Sequence, residues 1–199
     1  MTYTSELSYS FPQGSTTLIA YANDSLGNLN SSSVTFFIDS IAPDLNLVHP
    51  QSKTYGINSS LSLNFSASDF GIGVQSCWYN LFKGITLQIG NTTLLNCQNT
   101  TFNVNGDGSF TLNLYANDTF GNKASSSASF NVVTTAPAIN LISPINNSYL
   151  NYNSNIYFNY SVDSGLPIST CQLGGDFNGT WRLNQTNSST LTSANNYFI

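Results

Sequence analysis

Three cysteines, a single histidine and nine carboxylates are the residues of this 199-residue chain that could do covalent, metal or proton-transfer chemistry. The cysteines are Cys77, Cys97 and Cys171, and no Cys-x2-Cys spacing occurs. With His49 the lone imidazole, a zinc site is not expected. Ser-His-Asp catalysis would have to use that one imidazole, which precedes Pro50 at a predicted strand end, and an acid to hold it. A surface or edge position is the expected one. Carboxylate pairs of glycosidase type find no support, since the only glutamate, Glu6, lies near the terminus and the aspartates fall at predicted turns. No catalytic residue, cofactor or metal is expected, and the chain is not read as an enzyme.

The elements that hold these residues follow from composition. Only 7% of residues are charged, where about 25% is usual. Asn, Ser and Thr number 28, 30 and 20. One Glu, one Met and three Lys leave few strong helix formers, so β-branched, aromatic and turn-forming types dominate and a helical bundle is excluded. A net charge of −5 with four basic residues cannot neutralise a phosphate backbone, so no nucleic-acid partner is expected. Aromatics at 13% can build a core, which argues against disorder. No run approaches the ~18 apolar residues of a membrane span, and residues 1–6 do not read as a signal peptide.

Twelve Asn-x-Ser/Thr sequons occur, at Asn23, Asn30, Asn58, Asn64, Asn91, Asn99, Asn117, Asn146, Asn159, Asn178, Asn184 and Asn187. Chance would give roughly seven in a chain this rich in Asn, Ser and Thr. Each is a glycosylation candidate on a secreted surface. Composition and sequons together favour the cell exterior.

An internal repeat organises the chain. Ala22-Asn23-Asp24-Ser25-Leu26-Gly27-Asn28 recurs as Ala116-Asn117-Asp118-Thr119-Phe120-Gly121-Asn122, 94 residues on. The same offset carries Ala42-Pro43 to Ala136-Pro137, Pro50 to Pro144, Tyr55 to Tyr149, Asp69 to Asp163 and Cys77 to Cys171. Boundaries at the Ala-Pro linkers make 1–39 the C-terminal part of one module, 40–133 a complete module and 134–199 the N-terminal part of another. Seven strands are predicted in the complete module, at 45–47, 61–67, 77–81, 85–89, 102–104, 112–116 and 128–132. Leu61, Leu63, Phe65 and Ala67 alternate with Ser62, Asn64 and Ser66, the signature of a half-buried strand. The third module repeats this with Ile156, Phe158, Tyr160 and Val162. Short alternating strands with turn signals every eight to twelve residues indicate an all-β chain of tandem immunoglobulin-like β-sandwiches. The Asp-x-x-Gly-Asn motif joins the last two strands as a hairpin turn: Asp bonds backbone N–H groups, Gly takes the positive φ and Asn tolerates the left-handed region.

The string Gly108-Ser109-Phe110-Thr111-Leu112-Asn113-Leu114-Tyr115-Ala116-Asn117-Asp118-Thr119-Phe120-Gly121-Asn122, with Ala-Pro linkers between modules, resembles the immunoglobulin-like repeats of prokaryotic surface proteins. The added Cys77-Trp78-Tyr79 and Asn96-Cys97-Gln98-Asn99-Thr100-Thr101-Phe102 is similar to arrays in large archaeal surface proteins. The resemblance covers essentially the whole chain. It implies the fold and an extracellular, often adhesive or filament-forming setting, although such modules also serve as spacers in secreted enzymes.

Cys77 and Cys97 lie in one module on strands that could pair or face each other, and an exported protein rarely keeps such thiols reduced, so a disulfide is expected. Cys171 matches Cys77, but its partner position near 191 holds Leu191, so Cys171 is expected to be unpaired or to pair with another chain. Calcium at the module linkers is the metal to test. Asp39 and Asp44 flank the first Ala-Pro, with Asp69 in a following loop. At the second linker their counterparts are Val133 and Ala138, and a shared structural site should survive between repeats. Trp78 alternates with Cys77, so one of the two faces away from the core. Trp181 is placed in a loop; both tryptophans are candidate glycan contacts, and Tyr21 and Tyr115 have outward parity.

Two readings of the frame follow. The chain is an excerpt of a longer array, or the part-modules at its two ends complete each other between copies, head to tail. The expectation is an extracellular structural protein, a stalk, adhesin arm or filament subunit, whose partners are neighbouring modules, its own copies, or cell-surface glycans and proteins. The alternative is a glycan-binding or accessory module of a secreted enzyme.

Overall fold

Alternation of apolar and polar residues decides which face of each long strand is buried. Leu61–Ser68 buries Leu61, Leu63 and Phe65 and exposes Ser62 and Ser66. Gly108–Asp118 buries Phe110, Leu112, Leu114, Ala116 and Asp118, leaving Ser109 to Asn117 of the other parity on the opposite face. A computed structural model describes residues 8–153, 156–177, 179–188 and 195–198.

The described residues form strands and one short 3-10 turn, with no α-helix among them. The strands are β1 (Gly14–Asn23), β2 (Leu29–Ile38), β3 (Asp44–His49), β4 (Thr54–Tyr55), β5 (Leu61–Ser68), β6 (Val74–Lys83), β7 (Thr86–Leu94), β8 (Thr100–Phe102), β9 (Gly108–Asp118) and β10 (Lys123–Val132). They continue as β11 (Ala138–Ser143), β12 (Phe158–Asp163), β13 (Cys171–Phe177), β14 (Thr180–Asn187) and β15 (Asn195–Phe198). The chain divides into two compact units. One comprises Met1–Thr54 and Ser59–Asn131, the other Tyr55–Asn58 and Val132–Ile199.

In the first unit, a sheet ordered β3-β5-β8 and a sheet ordered β4-β10-β9-β6-β7 supply a shared core, as in a β-sandwich. Leu61, Leu63, Phe65 and Phe102 come from the smaller sheet. Cys77, Tyr79, Leu81, Leu112, Leu114 and Phe130 come from the larger one. Tyr79 meets Phe102 with ring centroids 6.2 Å apart, and Phe102 meets Phe130 at 6.0 Å, so aromatic contacts cross between the sheets. The strands β1 and β2 form a separate antiparallel hairpin.

Residues 40–133 hold eight strands rather than the seven predicted. The extra one is β4, two residues long and too short to show a period; beside it Asn131 donates its N–H to the carbonyl of Lys53. The predicted strand 85–89 runs from Thr86 to Leu94, and Val104 falls beyond the end of β8. In the second unit, β11-β12-β15 form one sheet and β13-β14 a hairpin. Tyr160, Val162 and Cys171 form a buried cluster there, with Phe158, Ile168 and Leu173 packed against them.

Candidate functional site

The Asp-x-x-Gly-Asn turn between β9 and β10 is built from one carboxylate. Asp118 Oδ1 accepts the N–H groups of Phe120 and Asn122, both at 2.9 Å, and Oδ2 accepts Asn122 Nδ2 at 2.7 Å. Gly121 sits at φ +89, which a side chain would strain. The carboxylate is fully buried. Burial opposes its ionised form, yet the bonds from the side chain and backbone of Asn122 and from the backbones of Gly121 and Phe120 prevail, holding its pKa below the ordinary 3.8.

Two further carboxylates converge on it. Asp69, just after β5, accepts the N–H groups of Gly71 and Gly73 at Oδ2, both at 3.2 Å. Asp39, just after β2, accepts the N–H of Ile41 at Oδ1, while its backbone carbonyl accepts Asn122 Nδ2 at 3.1 Å. One carboxylate oxygen from each of Asp39, Asp69 and Asp118 lies within 4.8 Å of one from each of the others. Among the described residues, the groups that donate to these carboxylates are uncharged. Asp39 Oδ2 is buried and accepts no hydrogen bond. Asp44, the other linker aspartate, stands apart from the cluster, exposed at the start of β3 opposite Ser68.

Cys77 and Cys97 are bonded, joining the core of β6 to the 3-10 turn Leu95–Cys97, with Cα atoms 5.1 Å apart. This is the pairing expected from the sequence. Cys171 is free and buried; Leu191, at the counterpart of its partner position, lies outside the described residues. His49 is half-buried at the end of β3, opposite Asn64.

Of the residue pair 77–78, Cys77 faces the core and Trp78 faces away. Trp78 lies opposite Tyr115 of β9 and stacks on it, with centroids 5.4 Å apart and planes 13° apart. Next to this stack an amide ladder crosses three strands: Asn113 donates to Asn80 at 2.9 Å, and Asn80 donates to Asn91 at 3.0 Å. Trp181 is not in a loop but in β14, opposite Asp176, and is 75% exposed. A β-bulge between Leu173 and Gly174 marks that hairpin, and Gly174 is the residue beneath the Trp181 ring. Tyr21 is exposed on β1.

The sequon asparagines Asn23, Asn30, Asn91, Asn99, Asn146 and Asn184 are exposed, and Asn58, Asn64, Asn117 and Asn159 are half-buried. Several already serve the fold. Asn99 Oδ1 accepts the N–H of Phe65 at 2.9 Å, and Asn117 Nδ2 donates to Gln75 at 2.9 Å. Asn178 lies outside the described residues, and Asn187 ends β14.

The sequence reading placed Asp39, Asp44 and Asp69 together and treated Asp118 as turn chemistry alone. The structure exchanges Asp44 for Asp118. Asp69 and Asp118 recur at the 94-residue offset, in Asp163 and Asp24, whereas Asp39 becomes Val133, so the repeat carries only part of this set. No protein-family model matches the chain, and no curated protein matches it in sequence.

Proposed function

We propose that the chain is a segment of an extracellular structural protein built from tandem immunoglobulin-like modules, a surface stalk, adhesin arm or filament subunit, in which the apolar face of the β1–β2 hairpin is covered by a further part-module, of a longer array or of a second copy. The observation that carries this reading is the hairpin of β1 and β2. Thr17 and Thr35 bond at 2.7 Å across it as Thr111 and Ser129 do at 3.0 Å across β9 and β10, so the two hairpins share a register 94 residues apart. In β9 the inward residues Leu112, Leu114 and Ala116 are buried by the facing sheet. Their counterparts Leu18, Ala20 and Ala22 are exposed, as is Val34 on β2.

Residues 134–199 repeat positions 40–105. Ile139 and Leu141 on β11 are exposed where Leu45 and Leu47 on β3 are half-buried. A segment with the strand types of 40–105, which residues 134–199 repeat, fits the bare hairpin, whether it belongs to the same array or to a second copy. Sheet complementation of this kind removes exposed edges and buries apolar area together. The disulfide and the exposed sequons accord with an oxidising, extracellular setting. The reading assigns no catalysis.

Light scattering across the micromolar range tests the assembly. Head-to-tail association of copies gives a mass that grows in chain multiples with concentration and collapses to one chain in Leu18→Asp. A wild-type protein that stays monomeric overturns the head-to-tail reading, and electron micrographs of native material distinguish a filament from an isolated stalk.

A glycan-binding or accessory module of a secreted enzyme is the second reading. It is favoured by the stacked Trp78 and Tyr115 and by the exposed Trp181. Binding on a glycan array that is lost in Trp181→Ala would support it against the first.

A further inference from the structure

We infer that Asp39, Asp69 and Asp118 form a binding site for a calcium-type divalent cation at the end of the first unit where the segment after β2 meets the β9–β10 turn. The proximity of three carboxylates is the first observation. The second is independent of it: Asp39 Oδ2 is buried and has no hydrogen-bond donor. A carboxylate oxygen taken out of water without a partner is costly, and a cation is the partner this oxygen lacks. The surrounding N–H groups of Ile41, Gly71, Gly73, Phe120 and Asn122 all donate to other carboxylate oxygens, Oδ1 of Asp39, Oδ2 of Asp69 and Oδ1 of Asp118. No lysine or arginine pairs with any of the three carboxylates among the described residues.

Backbone packing makes room for the Asp39 carboxylate. A Cβ placed on Gly71 would lie 2.2 Å from Asp39 Oδ2, so only glycine leaves that space open. The second linker repeats the approach with another group. There a Cβ on Gly165 would lie 3.0 Å from Cγ1 of Val133, the counterpart of Asp39. An isopropyl group thus satisfies the same contact, and packing does not call for a carboxylate. The charge at position 39 answers to something else, and the two neighbouring carboxylates identify its sign.

The donor set is all oxygen, which selects hard cations over zinc or copper. Calcium–oxygen contacts of about 2.3–2.6 Å put ligands on opposite sides of the ion roughly 5 Å apart, which accommodates the full 4.8 Å limit of the cluster. Magnesium, at about 2.1 Å, would require a tighter cluster and gives up its water reluctantly. Asp118 can contribute without losing its turn, because a carboxylate oxygen accepts more than one partner.

Calorimetric titration of calcium chloride into the chelator-treated full chain tests the site, alongside melting in calcium and in chelator. The expected result is one ion bound per chain, a higher midpoint in calcium, and a weaker response to magnesium. Asp39→Asn should weaken binding at least about tenfold, because it removes one of the few charged ligands. Gly71→Ala should do the same by displacing Asp39 with every carboxylate retained, and Asp44→Asn should bind as wild type does. Melting of each variant in chelator checks that it folds, and Gly71→Ala carries the test if Asp39→Asn does not. Absence of both heat and midpoint shift up to about 10 mM calcium overturns the site. So does a loss in Asp44→Asn equal to that in Asp39→Asn.

Discussion

The hairpin of β1 and β2 and the hairpin of β9 and β10 carry the same turn, bond for bond. Asp24 Oδ1 accepts the N–H groups of Leu26 and Asn28 at 2.9 Å, and Oδ2 accepts Asn28 Nδ2 at 2.7 Å, the distances found at Asp118. Yet Asp24 is exposed and Asp118 is fully buried. Phe36 of the first hairpin meets only Phe11 edge-on, at 5.4 Å, among the ring contacts of the described residues, whereas its counterpart Phe130 packs on both Phe102 and Phe110. Register and turn are therefore local properties, fixed by a few side chains within the hairpin itself. Burial is not local. It depends on whether β3, β5 and β8, or their equivalents, lie across the apolar face.

The strongest way to break that comparison is to place a charge at matched positions. Leu112→Asp puts an unpaired carboxylate into the core between the sheets and should cost at least about 3–5 kcal/mol, enough to unfold the module. Leu18→Asp, its counterpart on β1, should lower the unfolding free energy from urea titration by no more than about 0.5 kcal/mol in the monomer. Equal losses would mean that the first hairpin is covered in solution by something the chain itself supplies.

The disulfide sharpens the comparison next, because only the second hairpin leans on it. Cys77 lies opposite Ala116 of β9 and is tied to the turn that follows β7. Closing a loop with a sequence separation of 20 is worth about 3 kcal/mol in the chain-entropy account. Reduction should accordingly lower the melting midpoint of the module by about 10 °C or more. The turn bonds of the first hairpin, followed by amide exchange at Leu26 and Asn28, should not change on reduction.

Much of this was legible in the residues. Strict alternation in β5, β9 and β10 gave both the strands and the faces they bury, because a period of two admits one inward set. The 94-residue repeat located the turn, and cysteine placement located the bridge. Two things were not legible. β4 is two residues long and owes its pairing to β10, so no pattern within it speaks. The carboxylate cluster draws on a linker, a loop and a hairpin turn at positions 39, 69 and 118, which only the folded sheets bring together. Recurrence between repeats also pointed away from it, since Val133 replaces Asp39 while the glycine beneath is kept as Gly165. Trp181 was misplaced for a related reason: the glycine two residues before it, Gly179 at positive φ, turns a hairpin whose second strand, β14, already contains Trp181.

The smallest effect lies in the exposed turn, where local bonds act without burial. The side-chain bond from Asn28 is the largest influence on Asp24 and its backbone N–H the next, and together with Leu26 and Gly27 they outweigh desolvation and hold the pKa below 3.8. All of these bonds favour the ionised carboxylate. Their contribution to the turn is therefore fully present above the unfolded value near 3.8, and it is lost as pH falls through the lower folded value. Carboxyl-carbon NMR should show Asp24 titrating below 3.8, with the amide signals of Leu26 and Asn28 moving in step. Asn28→Ala should carry the midpoint back up. Since salt screens exposed charges but leaves short hydrogen bonds largely intact, the depression should survive at high ionic strength. A midpoint at 3.8 in the wild-type protein would show instead that the turn in the uncovered hairpin is not held by its aspartate, and that the likeness of the two hairpins depends on the sheet that covers only one of them.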